Sequence, residues 1–209
     1  MSTHARRERL LLADLLESTG PEAPTLCEGW TTRDLAAHLV VRERRGEAVG
    51  VFLKPFAERL ERVRQEYAAR PYDELLQLVR TGPGRMSPFA WKQVDEAANT
   101  VEFFLHGEDV RRTRPDWSPR EIDPVFGEVL WKRVGPLARL AGRRSPVGLV
   151  LRRPDGQTVV ARKGTPVVTV TGEPAELLVF VSGRQRVARV DLAGDEEAVA
   201  RAREARLGI

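Results

Sequence analysis

The sequence predicts an α+β protein in which a helical bundle precedes a small α+β domain. Up to about residue 112, apolar residues recur at helical spacing. The stretch 113–124 then holds three prolines, a composition typical of a linker. Beyond it, short runs rich in valine and threonine indicate strands. We therefore predict a helical bundle over residues 1–115 and a small α+β domain over residues 124–209.

Local signals place the helices of the bundle. Leucines from Leu11 to Leu16 mark the first helix, and Gly20-Pro21 ends it. The second begins at Thr31, because Thr31 and Asp34 have the spacing of a capping box with Asp in place of the usual Glu, and it extends to about Gly46 or Gly50. Further helices are predicted over residues 55–69, 72–80 and 89–112.

The period changes after the linker. A helix over residues 125–140 precedes two β-rich runs that flank a Pro-Asp-Gly turn, a pattern that predicts a hairpin. The remaining elements are a strand over 167–171, a helix from Gly172-Glu173-Pro174 to about 181, an ambiguous stretch over 187–192 that suits a strand, and a helix over 195–207.

Composition excludes several classes of protein. With 42% hydrophobic and 31% charged residues, the chain can bury a core and is not disordered. No apolar stretch approaches the roughly 20 residues that span a bilayer, and Asp14 interrupts the apolar N-terminus, so we expect a cytoplasmic protein without membrane contact. The single Cys27 excludes an internal disulfide and a Cys-rich zinc module. Although the net charge is +4, basic and acidic residues are interleaved, and we expect no nucleic-acid partner. The sequence contains no signal that indicates an oligomeric state.

One face of the long predicted helix is polar. At about 100° per residue, its members share a narrow stripe with Asn99 at its edge: Asp95, Glu102, His106, Asp109 and Thr113. A solvated surface is the plain interpretation of such a stripe. However, apolar residues flank the stripe on both sides, and the stripe contains no arginine. A second polar face (Glu96, Thr100, Glu108, Arg111) occupies the opposite side of the helix, although the apolar Phe104 near that face does not fit a polar surface. We therefore predict that the stripe points inward and the second face outward.

His38 lies among apolar residues of its own helix and also faces the predicted core. A lone histidine there is usually a core residue with its hydrogen bonds satisfied. If the two helices face each other, however, His38, Glu102 and His106 supply three ligands to one cation. Two histidines and one glutamate with an open fourth position form the ligand set of a catalytic zinc site. Spacing alone leaves both interpretations open.

Two segments carry a resemblance to a known family. Residues 26–38, which include Gly29-Trp30-Thr31 and end in Ala37-His38, resemble the Gly-Trp-Ser/Thr-x-x-Asp-x-x-Ala-His signature of the mycothiol-dependent maleylpyruvate isomerase family. Residues 99–109 are similar to its second element, Glu-x-x-x-His followed three residues later by Asp. The N-terminal match covers residues 5–115. It implies a DinB-like metal-binding four-helix bundle in which His38, Glu102 and His106 bind a divalent metal, most often zinc.

The C-terminal half resembles, more loosely, the sterol-carrier-like α/β domain that follows such bundles, through residues 172–178 and 182–184. Some relatives have a second histidine where this chain has Gly107, a departure that leaves the three ligands intact but could alter the residues around them.

Other residues have two interpretations each. Asp109 suits either an acceptor for a ligand ring N–H or an ion pair with Arg112. Arg184 suits either a clamp for a carboxylate or sugar-thiol group across the domain interface or an ordinary surface arginine. Cys27 suits a small buried hydrophobe better than a reactive thiol, and Asp34 suits a helix cap.

The function that the resemblance implies is a metal-dependent enzyme whose zinc activates a low-molecular-weight thiol, mycothiol. The thiol would serve isomerisation of, or S-transfer to, a small electrophile. The alternative is a non-catalytic metal-binding protein with a small-ligand or lipid-binding C-terminal domain. Metal-assisted hydrolysis by a zinc-bound water is a third, less favoured hypothesis.

Overall fold

A computed structural model describes residues 3–44, 54–84 and 87–208 of the chain. The fold is mixed α+β, as the sequence predicts. The chain divides into two compact units, Met1–Trp117 and Ser118–Ile209.

The first unit is helical. Its elements are α1 (His4–Thr19), α2 (Thr32–Arg44), α3 (Lys54–Ala68), α4 (Tyr72–Thr81), a 3-10 turn (Pro88–Ala90) and α5 (Lys92–Arg111). The prediction of one helix over 89–112 was wrong at its start, because residues 88–90 form the 3-10 turn and α5 begins only at Lys92. The predicted end of the second helix, at residues 46–50, lies outside the described residues.

Four helices build the core of this bundle. Helices α1, α2, α4 and α5 bury a continuous apolar cluster that includes Leu16, Leu39, Leu76 and Phe103. The helix α3 packs against α2. Burial of side chains of this size is worth roughly 1.5–3 kcal/mol each, which is enough to fix the helices against one another.

A buried polar network joins three of these helices. Arg9 of α1 makes a two-pronged ion pair with Glu43 of α2, and both side chains are almost completely buried. Arg9 also lies 3.2 Å from Asp95 of α5. Asn99 of α5 donates to Glu43 and to Asp95 over 2.8 and 2.7 Å. These contacts fix the relative position of α2 and α5, the two helices that carry the predicted ligands.

The second unit is a sheet with helices packed on it. Its elements are α6 (Pro124–Gly142), β1 (Gly148–Arg152), β2 (Thr158–Arg162), β3 (Val167–Thr171), α7 (Pro174–Val181), β4 (Asp191–Ala193) and α8 (Glu196–Glu204). The strand order is β2-β1-β3-β4, with β1 parallel to β3 and the other two pairs antiparallel. The predicted hairpin is present as β1 and β2.

The ambiguous stretch 187–192 is mostly not a strand. Residues 188–190 are irregular, and β4 covers three residues that pair with β3 at Val170 and its neighbours. Asp195 lies before the last helix as its N-cap, where its side chain accepts from Ala198 N.

Among the described residues, none of the helices combines the length and apolar character needed to cross a membrane. The cytoplasmic location stays a prediction.

Candidate metal centre

A loop and a helix cap position the first predicted ligand. Gly29 has a positive φ of 76°, which lets the chain turn back so that Trp30 N donates to Cys27 O over 3.0 Å. The predicted capping box is confirmed at the start of α2, where Thr31 N donates to Asp34 Oδ2 and Asp34 N to Thr31 Oγ1. His38 follows two turns later, with its ring 5.0 Å from the Trp30 ring.

The second helix supplies the other two donors. Glu102 and His106 lie one turn apart on α5 and face α2. His38 Nε2 and His106 Nε2 lie 3.2 and 3.3 Å from the same oxygen, Glu102 Oε1. The inward orientation of this part of the polar stripe is therefore confirmed.

These distances suit a metal ion. In a tetrahedral zinc site with bonds of about 2.0–2.1 Å, neighbouring nitrogen and oxygen ligands are about 3.3 Å apart. The donor atoms of His38, Glu102 and His106 all lie within 4.8 Å of one another. The side chains keep 30%, 24% and 12% of their surface exposed, so a further ligand can reach the set.

The other ring nitrogen of His106 faces a different pair of side chains. His106 Nδ1 lies 3.0 Å from Asp109 Oδ2, and Asp109 is completely buried. A carboxylate at this position accepts the Nδ1 proton and leaves Nε2 to face the other donors. The Cys27 thiol donates to the same Asp109 oxygen over 3.3 Å and lies 3.9 Å from His106 Nδ1.

Hydrogen bonds within this cluster shift the pKa of two of its members. Burial raises the pKa of Glu102, but hydrogen bonds from His106 and His38 outweigh it, and the pKa lies well below its usual 4.5. Burial lowers the pKa of His106, but hydrogen bonds to Asp109, Cys27 and Glu102 outweigh it, and the pKa lies well above its usual 6.5. The raised pKa of His106, which lies between two carboxylates, indicates surroundings that favour a positive charge, and a metal cation would also supply one.

One side chain at this cluster was missed from the sequence. Arg42, one turn after His38 on α2, places its Nε 3.2 Å from Glu102 Oε1. The spacing of four residues from His38 was the available signal, because it puts both side chains on one face of the helix.

Two sequence-based expectations need correction. The second polar face of α5 is only partly solvated: Thr100 and Glu108 are buried, as is Phe104, whereas Glu96 and Arg111 are partly exposed. Glu96 on this face accepts from the backbone N–H groups of His4 and Ala5 at the start of α1, and Glu108 pairs with Arg112 over 2.7 Å. Helix α1 therefore packs along this face of α5. The polar side chains on the face are paired with each other or with backbone groups.

Cys27 is the second correction, because it is only half-buried and its thiol contacts Asp109 rather than an apolar cluster. Arg184 lies in the second unit just after α7, where its Nη1 donates to Ser182 O over 2.5 Å. Its predicted role at the site stays a prediction.

The fold and the donor set together define the class: a helical bundle in which two histidines and a glutamate converge on one partly exposed position. This chain belongs to the mycothiol maleylpyruvate isomerase family, since the family's N-terminal domain model matches residues 3–117, more than half of the chain. The resemblance in its two sequence segments is thereby confirmed, and membership supports a thiol-dependent isomerase. No curated protein sequence matches the chain significantly.

Solved structures extend the likeness to the second unit. A crystal structure of the mycothiol-dependent maleylpyruvate isomerase matches with a TM-score of 0.63 and 19% sequence identity, over 91% of this chain and 90% of that chain. A histidine-to-alanine mutant of that enzyme matches over the same shares with a TM-score of 0.62 and 18% identity. At these identities the likeness shows a common fold.

Proposed function

We propose that this protein is a mycothiol-dependent isomerase in which His38, Glu102 and His106 hold a divalent cation, zinc. The observation that carries the proposal is the convergence of His38 Nε2 and His106 Nε2 on Glu102 Oε1 in a partly exposed cluster. Family membership supports the thiol and the class of reaction.

The donor set favours zinc and an open position. Imidazole nitrogen and carboxylate oxygen are common zinc ligands, and three protein ligands are typical of catalytic zinc. When bound, the cation would supply a Lewis acid that lowers the pKa of an external thiol. The external thiol would then be the nucleophile, so the reaction would not require the half-buried Cys27.

The chain's own residues hold and orient these groups. Asp109 accepts the Nδ1 proton of His106, so that Nε2 faces the other donors. Trp30 packs beside His38 and fixes one side of its ring. The thiolate would add to an electrophilic carbon of a double bond in the substrate, which becomes a single bond about which the adduct can rotate. Loss of the same thiolate after rotation re-forms the double bond and gives isomerisation, whereas protonation of the adduct keeps the new C–S bond and gives S-conjugation.

The small electrophile binds, in this proposal, through a carboxylate or another anionic group. Arg184 is our candidate for that contact, because its guanidinium can bind a carboxylate with two hydrogen bonds. An Arg184→Gln variant should then raise KM for an anionic electrophile and leave metal content unchanged.

Elemental analysis of the purified chain tests the metal. We expect close to one zinc per chain, and a His106→Ala variant should lose it because it removes one of three ligands. His4→Ala is the matched control, since His4 lies at the start of α1 and is no member of the ligand set. A metal-free native protein would rule out the proposal.

Thiol dependence needs a second measurement. Isomerisation of maleylpyruvate, followed by absorbance, should require mycothiol and should be lost on chelation of the metal. A protein that binds one metal but neither binds mycothiol nor turns over an electrophile would instead be the non-catalytic metal-binding protein.

A further inference from the structure

We infer that Arg42 is a positioning residue that draws negative charge from Glu102 and keeps the bound cation acidic enough to ionise the thiol. This inference rests on the proposed function, because it concerns the cation and the thiol of the same site. It assigns a role to a side chain that stands beside the three ligands and is not one of them.

Arg42 is held by several partners at once. Its Nε lies 3.2 Å from Glu102 Oε1, its Nη1 donates to Asn99 Oδ1, and its Nη2 donates to Ala98 O over 3.4 Å. The guanidinium also lies 5.0 Å from the centre of the Phe89 ring. A planar group with this many fixed contacts has one orientation, so its charge stays beside Glu102.

Asn99, which accepts a hydrogen bond from Arg42, is itself held in place. Asn99 is completely buried, and its amide donates to Glu43 and Asp95, which also contact Arg9. The oxygen of Asn99 therefore faces Arg42, and the guanidinium is turned toward Glu102 by groups that lie outside the ligand set. A surface arginine in a single ion pair has one partner, whereas Arg42 contacts Glu102, Asn99 and Ala98.

Charge explains what the contact does. A carboxylate that accepts a hydrogen bond from a cation donates less electron density to a metal, and the metal then acidifies its remaining ligand more strongly. Without Arg42, Glu102 would neutralise more of the charge of the cation. We therefore expect the thiol to ionise at higher pH and the metal to stay bound.

The other charged groups described around Arg42 and Glu102 belong to α5, α2 and α1. Helix α5 contributes Glu102, His106, Asp109 and Asp95, and α2 contributes His38 and Glu43. Arg9 of α1 is paired with Glu43 and Asp95. Among the side chains described around the ligand set, Arg42 is the arginine that contacts Glu102.

The test uses the full chain loaded with cobalt(II), whose absorption reports a bound thiolate through a sulfur-to-metal charge-transfer band. Mycothiol is added, and the band is measured from pH 5 to pH 9 for the unsubstituted chain, Arg42→Gln and Arg42→Lys. We expect Arg42→Gln to move the midpoint of the transition upward by about one pH unit, the size of effect that one nearby charge has. Arg42→Lys keeps the positive charge, so its midpoint should move by no more than half as much as that of Arg42→Gln.

Arg64→Gln is the matched control, because Arg64 lies over Trp30 and pairs with Asp34 and Glu61 without belonging to the ligand set. Its midpoint should stay in place. An unchanged midpoint in Arg42→Gln would overturn the inference, as would loss of cobalt from that variant, since the role of Arg42 would then be structural. Equal shifts in Arg42→Gln and Arg42→Lys would also overturn it. Absence of the band from the unsubstituted chain would instead contradict the proposed function itself.

Discussion

At the scale of single residues, the two nitrogens of one histidine ring explain the arrangement of the site. His106 Nε2 faces Glu102, and His106 Nδ1 faces Asp109. In the neutral ring, an Nδ1 proton held by Asp109 would leave Nε2 as the nitrogen that can bind a cation. Both roles predicted for Asp109 stay predictions: its Oδ2 lies 3.0 Å from His106 Nδ1, and Arg112 pairs with Glu108 over 2.7 Å.

Asp109→Asn should reduce isomerase activity by roughly 10- to 100-fold, because an amide is a weaker acceptor for the Nδ1 proton and can present its NH₂ group instead. Steady-state assays with mycothiol measure this loss. Asp116→Asn is the control at an exposed position and should keep full activity. Equal activities in the two variants would show that Asp109 does not orient His106.

At the scale of elements, the buried network between α1, α2 and α5 sets the distance between His38 on α2 and the pair Glu102 and His106 on α5. The sequence shows that His38 faces inward on its helix and that Glu102 and His106 face inward on theirs, because a helix fixes the direction of each side chain locally. It does not show how far apart the two helices pack. The pair Arg9–Glu43, with Asn99 and Asp95, fixes that separation.

Glu43→Ala should lower the free energy of unfolding by about 3–5 kcal/mol, since it leaves the buried Arg9 without its main counter-charge. Urea unfolding measured by circular dichroism gives this value. Glu74→Ala removes an exposed ion pair with Arg70 and should cost less than about 1 kcal/mol. A similar cost for both variants would mean that the network does not hold the helices.

At the scale of the whole molecule, the shifted pKa values of His106 and Glu102 connect stability to pH. Because the pKa of His106 is raised in the folded chain, its contribution to stability is complete below about 6.5 and is lost as the pH rises through the folded value. Because the pKa of Glu102 is lowered, its contribution is complete above about 4.5 and is lost as the pH falls through the folded value. The metal-free cluster therefore stabilises the fold most between these two values.

Metal-free protein should thus lose stability as the pH rises above 6.5, and a His106→Gln variant should lose less over the same range. Urea unfolding of chelator-treated protein from pH 5.5 to pH 8.5 measures both slopes. Zinc should restore more stability at high pH than at low pH, because it replaces the proton that His106 gives up. Parallel slopes for the two proteins would contradict this assignment.

The sequence by itself determined the features that depend on local geometry. These are the helix starts at capping residues, the hairpin around Pro154-Asp155-Gly156, and the inward faces that carry His38, Glu102 and His106. The motif around His38 and the one around Glu102 also determined the family, since both are contiguous in the chain.

Only the tertiary structure decided what depends on partners far apart in sequence. It brought two histidines to one oxygen of Glu102, placed Arg42 beside that oxygen, and brought Cys27 to Asp109. It also buried Thr100 and Glu108 on a face expected to meet water, and reduced the last strand to three residues. The physical reason is that side-chain direction follows from the helix itself, whereas contact distance and burial follow from how helices pack.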